Sequence, residues 1–133
     1  MRWVVDGMNL IGSRPDGWWR DRAGARRRLV SDLATLVGPD TSVTVVFDGR
    51  PALGEVDAAD TVGITALFAP GGPNAADHAI VELLHVLDDC AAVTVVTSDG
   101  ALADSVRRAG AAVEGVKAFR GRLPARGDPG GGA

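Results

Sequence analysis

The stretch Val4-Val5-Asp6-Gly7-Met8-Asn9 decides how this chain is read. An apolar run over residues 3–5 stops at a carboxylate, a glycine follows, and an amide stands three residues past the acid. A buried parallel strand looks like this when it delivers a functional group to the edge of a sheet. Two later runs end alike: residues 43–47 stop at Asp48-Gly49, and residues 93–97 stop at Ser98-Asp99-Gly100. One such ending carries little weight, because Asp also opens turns and caps helices. Three of them in 133 residues point to carboxylates gathered on one edge, and gathered carboxylates call for a cation.

Helical patterns alternate with these strands. Leu29, Val30, Leu33, Leu36 and Val37 recur at helical spacing and predict a helix over residues 21–37. A second helix is expected from Asn74, as its cap, to about residue 88, with Ile80, Leu84 and Leu87 inward. Asp77 falls in its first turn, on the side of Ile80. A third is expected over residues 101–109, ended by Gly110. Residues 64–68 and 112–119 read as further strands, and residues 7–17 and 51–63 as loops. Strand–helix alternation predicts an α/β domain: a three-layer α/β/α sandwich with a mostly parallel sheet of about five strands and right-handed crossovers. Function in such sheets gathers at the carboxyl ends of the strands. One domain is expected over residues 1–123, with a disordered Gly/Pro-rich tail over 124–133.

Composition fits a soluble globular chain, with 46% hydrophobic and 23% charged residues. A single cysteine, Cys90, excludes an internal disulfide framework. No apolar run is long enough to span a bilayer, and no signal-peptide pattern precedes the first strand, so a cytoplasmic protein without membrane partners is expected. The net charge of −3 hides an asymmetry. Residues 1–39 hold seven basic against four acidic side chains, residues 40–104 one against eleven, and residues 105–133 six against two. An acidic middle between basic ends suits an acidic metal centre with basic rims.

At about 4 Å and an effective dielectric near 20, each pair of carboxylates repels by on the order of 4 kcal/mol. A divalent cation relieves this, and Mg²⁺ or Mn²⁺ prefers such all-oxygen sites. Asn9 and Ser98 can hydrogen-bond a carboxylate, a metal water or a phosphate. No His/Cys cluster has zinc spacing, and neither a P-loop nor a G-x-G-x-x-G is present. Met8, two residues after Asp6, departs from the Asp-x-Asp of haloacid-dehalogenase-type phosphotransferases. A phospho-receiver domain, suggested by the strand-end acids and Lys117, would want paired acids where Gly7 follows Asp6. Arg20, Arg22, Arg26, Arg27 and Arg28 form a basic run suited to RNA, and Trp18 and Trp19 beside it could stack on bases.

Taken in order, Asp6-Gly7-Met8-Asn9-Leu10-Ile11, Val46-Phe47-Asp48-Gly49, Ala76-Asp77-His78-Ala79-Ile80 and Thr97-Ser98-Asp99 resemble the NYN domain. This is a Rossmann-like branch of the PIN-like nuclease superfamily, and the resemblance is to its YacP-like ribonucleases. It covers about residues 2–119. It implies a Mg²⁺- or Mn²⁺-dependent endoribonuclease, with Asp6, Asp48, Asp77 and Asp99 as catalytic and metal-holding acids. Asn9 would be the supporting amide and Ser98 the hydroxyl beside the last acid. RNA is the implied partner, with the ribosome as one setting. Many PIN-like proteins carry another acid two residues past the last Asp, where this chain has Ala101. That departure keeps a second reading open: a non-catalytic RNA- or ribosome-binding module on the same fold.

Overall fold

The computed structural model describes residues 1–125. The element order is β1 (Arg2–Asp6), α1 (Gly7–Gly12), a 3-10 turn (Trp18–Arg20), α2 (Arg22–Ala34), β2 (Ser42–Asp48), α3 (Glu55–Thr61), β3 (Ile64–Ala69) and α4 (Ala75–Val86). A second 3-10 turn (Cys90–Ala92), β4 (Val93–Val96), α5 (Gly100–Arg108), β5 (Ala112–Glu114) and α6 (Val116–Arg120) complete it. The strands form one five-stranded sheet in the order β3-β2-β1-β4-β5, and every pairing is parallel. The expected mostly parallel α/β sheet is therefore present.

Alternation along the strands divides the core between two faces. Trp3, Val5, Val43, Val45 and Phe47 point to one face and pack with residues of α1, α2, α3 and α6. Val4, Val46, Val93 and Val95 point to the other and pack with α4 and α5. β1 lies in the middle, with β2 on one side and β4 on the other. The chain leaves β1 toward β2 and β3, then returns through α4 to β4, so strand order reverses beside β1. That reversal opens a crevice at the carboxyl ends of β1 and β4.

Three expectations are corrected. Residues 7–12 of the expected first loop form α1, directly after β1. Six residues are too few to show a helical period, yet Leu10 and Ile11 are buried. Residues 55–61 of the second expected loop form α3. This helix buries only Ala59, so it leaves no apolar stripe in the sequence. It is fastened instead by Glu55, whose carboxylate accepts two bonds from Arg26 at 2.6 and 2.9 Å and one from the Ala52 N–H at 2.8 Å. The expected strand over 112–119 is β5 followed by α6; Val116 and Phe119 are both buried, at the i, i+3 spacing of a helix. The expected tail over 124–133 lies outside the described residues from position 126 onward.

Gly7 lets the chain turn from β1 into α1 under the sheet. A Cβ there would stand 2.5 Å from two ring carbons of Phe47 and 3.0 Å from Val45 Cγ2. Phe47 is fully buried and cannot swing aside. Gly7→Ala is therefore expected to destabilise the fold by about 1–3 kcal/mol, measured as a lower urea midpoint with an unchanged slope.

Candidate active site

The carboxyl edge of the sheet carries the strand-end acids. Asp6 closes β1 and is only 4% exposed. Its Oδ2 accepts a hydrogen bond from the Thr97 hydroxyl at 2.9 Å, and the nearby Asn9 backbone N–H also favours its charged form. Thr97 follows β4, and β1 and β4 pair at Val5 and Val96, which brings Thr97 level with Asp6. The same hydroxyl oxygen accepts from the Asp99 N–H at 3.1 Å. Asp99 then caps α5, its Oδ1 accepting from the Leu102 N–H at 3.0 Å.

Asn9 reaches across the crevice. Its Oδ1 accepts from the Ser98 N–H at 2.8 Å and ties α1 to the turn after β4. The Ser98 hydroxyl oxygen accepts from the Val116 N–H at 3.0 Å, at the start of α6. Asn9 and Ser98 thus hold three segments in place around the acids, with Ser98 turned toward α6.

Asp48 ends β2 and is exposed, and its Oδ1 accepts from the Ala76 N–H at 3.0 Å. It caps α4 from another element, in place of Asn74, whose side chain makes no capping bond. Asp77 is half-buried in the first turn of that helix. The four acids feel one another. Burial raises the proton affinity of Asp6 to a pKa of about 6; the Thr97 bond and the Asn9 N–H oppose this, and the charges of Asp77 and Asp48 add to it. Burial also raises that of Asp77, followed by the charges of Asp99 and Asp48, with His78 opposing. Among the described residues, no three acidic, His or Cys side chains stand close enough as a group to hold a metal ion.

The arginine run divides. Arg20 stacks over Trp19 at 5.8 Å and Arg22 over Trp18 at 5.4 Å, and both guanidinium groups lie on the surface. Arg27 and Arg28 are exposed on α2. Arg26 faces inward: its guanidinium is bound bidentately by Glu55 and lies 5.4 Å over the Phe68 ring. Within the expected RNA-facing run, helix geometry turns Arg26 to α3 while Arg27 and Arg28 are exposed. Trp18 packs against the core and Trp19 is 54% exposed, so only the latter offers an open ring.

Thr97 is the residue that sequence reasoning passed over in favour of Ser98. The available signal was a hydroxyl at the end of an otherwise apolar buried run, residues 93–97. Thr97 is 1% exposed and serves as a positioning residue between Asp6 and Asp99.

The Asp6 carboxyl titrates near 6 when folded, against 3.8 in the unfolded chain. The folded state therefore binds the extra proton. In metal-free buffer its contribution to stability is full below about pH 3.8 and is lost as pH rises through about 6. The expected loss is on the order of 3 kcal/mol, and Asp6→Asn removes that slope in pH-dependent urea melts. Thr97→Val, which deletes the opposing hydrogen bond, is expected to move the Asp6 midpoint higher still in a carboxyl-carbon NMR titration.

The family model described as the YacP-like NYN domain matches residues 3–126. Among solved structures, the chain is similar to Rae1 (YacP) from Bacillus subtilis, with a TM-score of 0.73 and 24% identity over 92% of this chain and 72% of that one. Its W164L mutant gives 0.70 and 23%, over 92% and 73%. These structural likenesses bear on the fold. No curated protein sequence matches. With the matched model spanning almost all of the described residues, the chain belongs to the YacP-like NYN domain family, a nuclease-like family.

Proposed function

We propose that this protein is a divalent-metal-dependent endoribonuclease that hydrolyses RNA phosphodiester bonds, with Mg²⁺ or Mn²⁺ as its cation. The observation that carries this reading is the placement of Asp6, Asp48 and Asp99 at the carboxyl ends of three adjacent parallel strands, with Asp77 in the first turn of the helix that Asp48 caps. Their donors are all carboxylate oxygens, which suits a hard cation. Mg²⁺ keeps several waters and is commonly held by one or two carboxylates, so a tighter group of three is not required. When bound, such a cation polarises a phosphoryl oxygen and lowers the pKa of a water.

The remaining work falls to the chain. Thr97 holds Asp6 in one rotamer and fixes the Asp99 N–H, so two acids from different strands keep a constant separation. Asp48 is oriented by the Ala76 N–H. Asp77 stands in the first turn of α4, the helix that Asp48 caps, and its charge is felt by Asp6. Arg20, Arg22, Arg27 and Arg28 would guide the phosphate backbone toward an edge that is itself anionic. Cytoplasmic RNA, including RNA on the ribosome, is the proposed substrate; no helix among the described residues is long and apolar enough to cross a membrane. A second reading, a non-catalytic RNA- or ribosome-binding module, is favoured by Ala101 and by the lack of a compact group of three ligands among the described residues.

Labelled single-stranded RNA incubated with the protein in Mn²⁺ should be cut internally, and EDTA should abolish cutting. Binding without cutting selects the second reading. Asp6→Asn and Asp99→Asn are each expected to weaken Mn²⁺ binding in calorimetry by about tenfold or more, as each removes a charged oxygen. Arg22→Ala combined with Arg27→Ala should weaken RNA binding and flatten its salt dependence, by about 0.7 units of log–log slope per lost phosphate contact, while leaving Mn²⁺ affinity unchanged.

A further inference from the structure

The 3-10 turn between α1 and α2 carries Trp19, which is 54% exposed. The turn itself is firmly built. The Trp18 N–H donates to Asp16 Oδ1 at 3.2 Å, the Arg20 N–H to the Gly17 carbonyl at 3.0 Å, and the Asp21 N–H to the Trp18 carbonyl at 3.2 Å. Asp21 then caps α2, its Oδ1 accepting from the Gly24 N–H at 2.9 Å. Trp18 packs against the core and meets Trp19 at a near right angle, with ring centroids 6.0 Å apart. The open indole thus stands on a braced turn, backed by a second ring that is anchored in the core.

Two further observations bear on what that ring meets. The first is its place in the fold. One turn into α2, Arg26 lies over the Phe68 ring, and Phe68 pairs with Phe47, the residue before Asp48. The start of α2, and the 3-10 turn before it, therefore stand at the sheet edge that carries the acids. The second is charge. Arg20 lies over the Trp19 ring at 5.8 Å and Arg22 over the Trp18 ring at 5.4 Å, and both arginines are exposed. An open aromatic ring flanked by guanidinium groups holds an unpaired base by stacking and its phosphates by charge. An apolar protein surface laid on the same ring would have to desolvate those cations, which is costly. We propose that Trp19 is a stacking platform for one unpaired base of the RNA, set at the acid edge between Arg20 and Arg22. The inference rests on RNA being the substrate. Arginines alone hold any polyanion; a stacked base makes the site select a single strand, with little regard to its sequence.

The test is equilibrium binding in EDTA of oligouridylate and of an abasic phosphodiester oligomer of the same length, followed by anisotropy of an end label and by tryptophan emission. Wild-type protein is expected to bind oligouridylate about tenfold more tightly than the abasic oligomer, and its emission should fall with oligouridylate alone. Trp19→Leu should weaken oligouridylate binding about tenfold and leave the salt slope unchanged, because no phosphate contact is lost. Trp19→Phe, which keeps a ring, should recover part of the affinity. Trp19 lies on the surface, so urea melts of both variants should match wild type. Equal oligouridylate affinity in wild type and Trp19→Leu overturns the platform, leaves the RNA reading standing and turns the open ring over to a protein partner. A loss of affinity with a shallower salt slope also overturns it, since Trp19 then only positions Arg20. No binding of either oligomer overturns the RNA reading itself, and the platform with it.

Discussion

A carboxylate buried at the end of the central strand is the constraint on which the rest of the site depends. Asp6 is nearly closed off from water, and its charge is opposed by burial and by two neighbouring acids. A hydrogen bond from the Thr97 hydroxyl and the nearby Asn9 N–H favour its ionised form. Such a group holds its proton more tightly than an ordinary carboxyl, and a cation beside it would favour the charged form. The parallel sheet makes this arrangement possible. β1 is flanked by β2 and β4, and the reversal of strand order there places Asp6, Asp48 and the turn bearing Asp99 at one edge.

The surrounding elements serve that edge. Gly7 permits α1 to begin at once, so that Asn9 can return and grip the Ser98 N–H. Ser98 in turn holds the first amide of α6. Asp48 caps α4 and so couples the end of β2 to the helix that presents Asp77. On the far side of the sheet, Arg26 and Glu55 lock α3 to α2, leaving Arg27 and Arg28 outward. Two of the candidate acids, Asp48 and Asp99, also cap helices, and those bonds fix the direction of their carboxylates.

The strands were legible because buried parallel strands are written as short apolar runs, and β2 and β4 have little else in them. Asp6, Asp48 and Asp99 could be placed on one edge from the way those runs end. Asp77 could be placed from its position relative to Ile80. What could not be read has physical causes. α1 and α3 bury too few side chains to leave a period, and α3 is held by an ion pair 29 residues apart in sequence. The inward turn of Arg26 depends on that same partner. The choice between Thr97 and Ser98 rests on the register between β1 and β4, which no local pattern encodes. The same holds for Asn74: its sequence position announces a cap, but its backbone is left-handed and the Ala76 N–H bonds to Asp48 from β2.

The central claim is that this edge is built for a cation, and the proton affinity of Asp6 tests it most directly. Its carboxyl carbon can be followed by NMR across pH, first in EDTA and then in saturating Mg²⁺. The account predicts a midpoint near 6 without metal that falls below the ordinary carboxylate range when Mg²⁺ is present. A midpoint that stays near 6 at every Mg²⁺ concentration would contradict it.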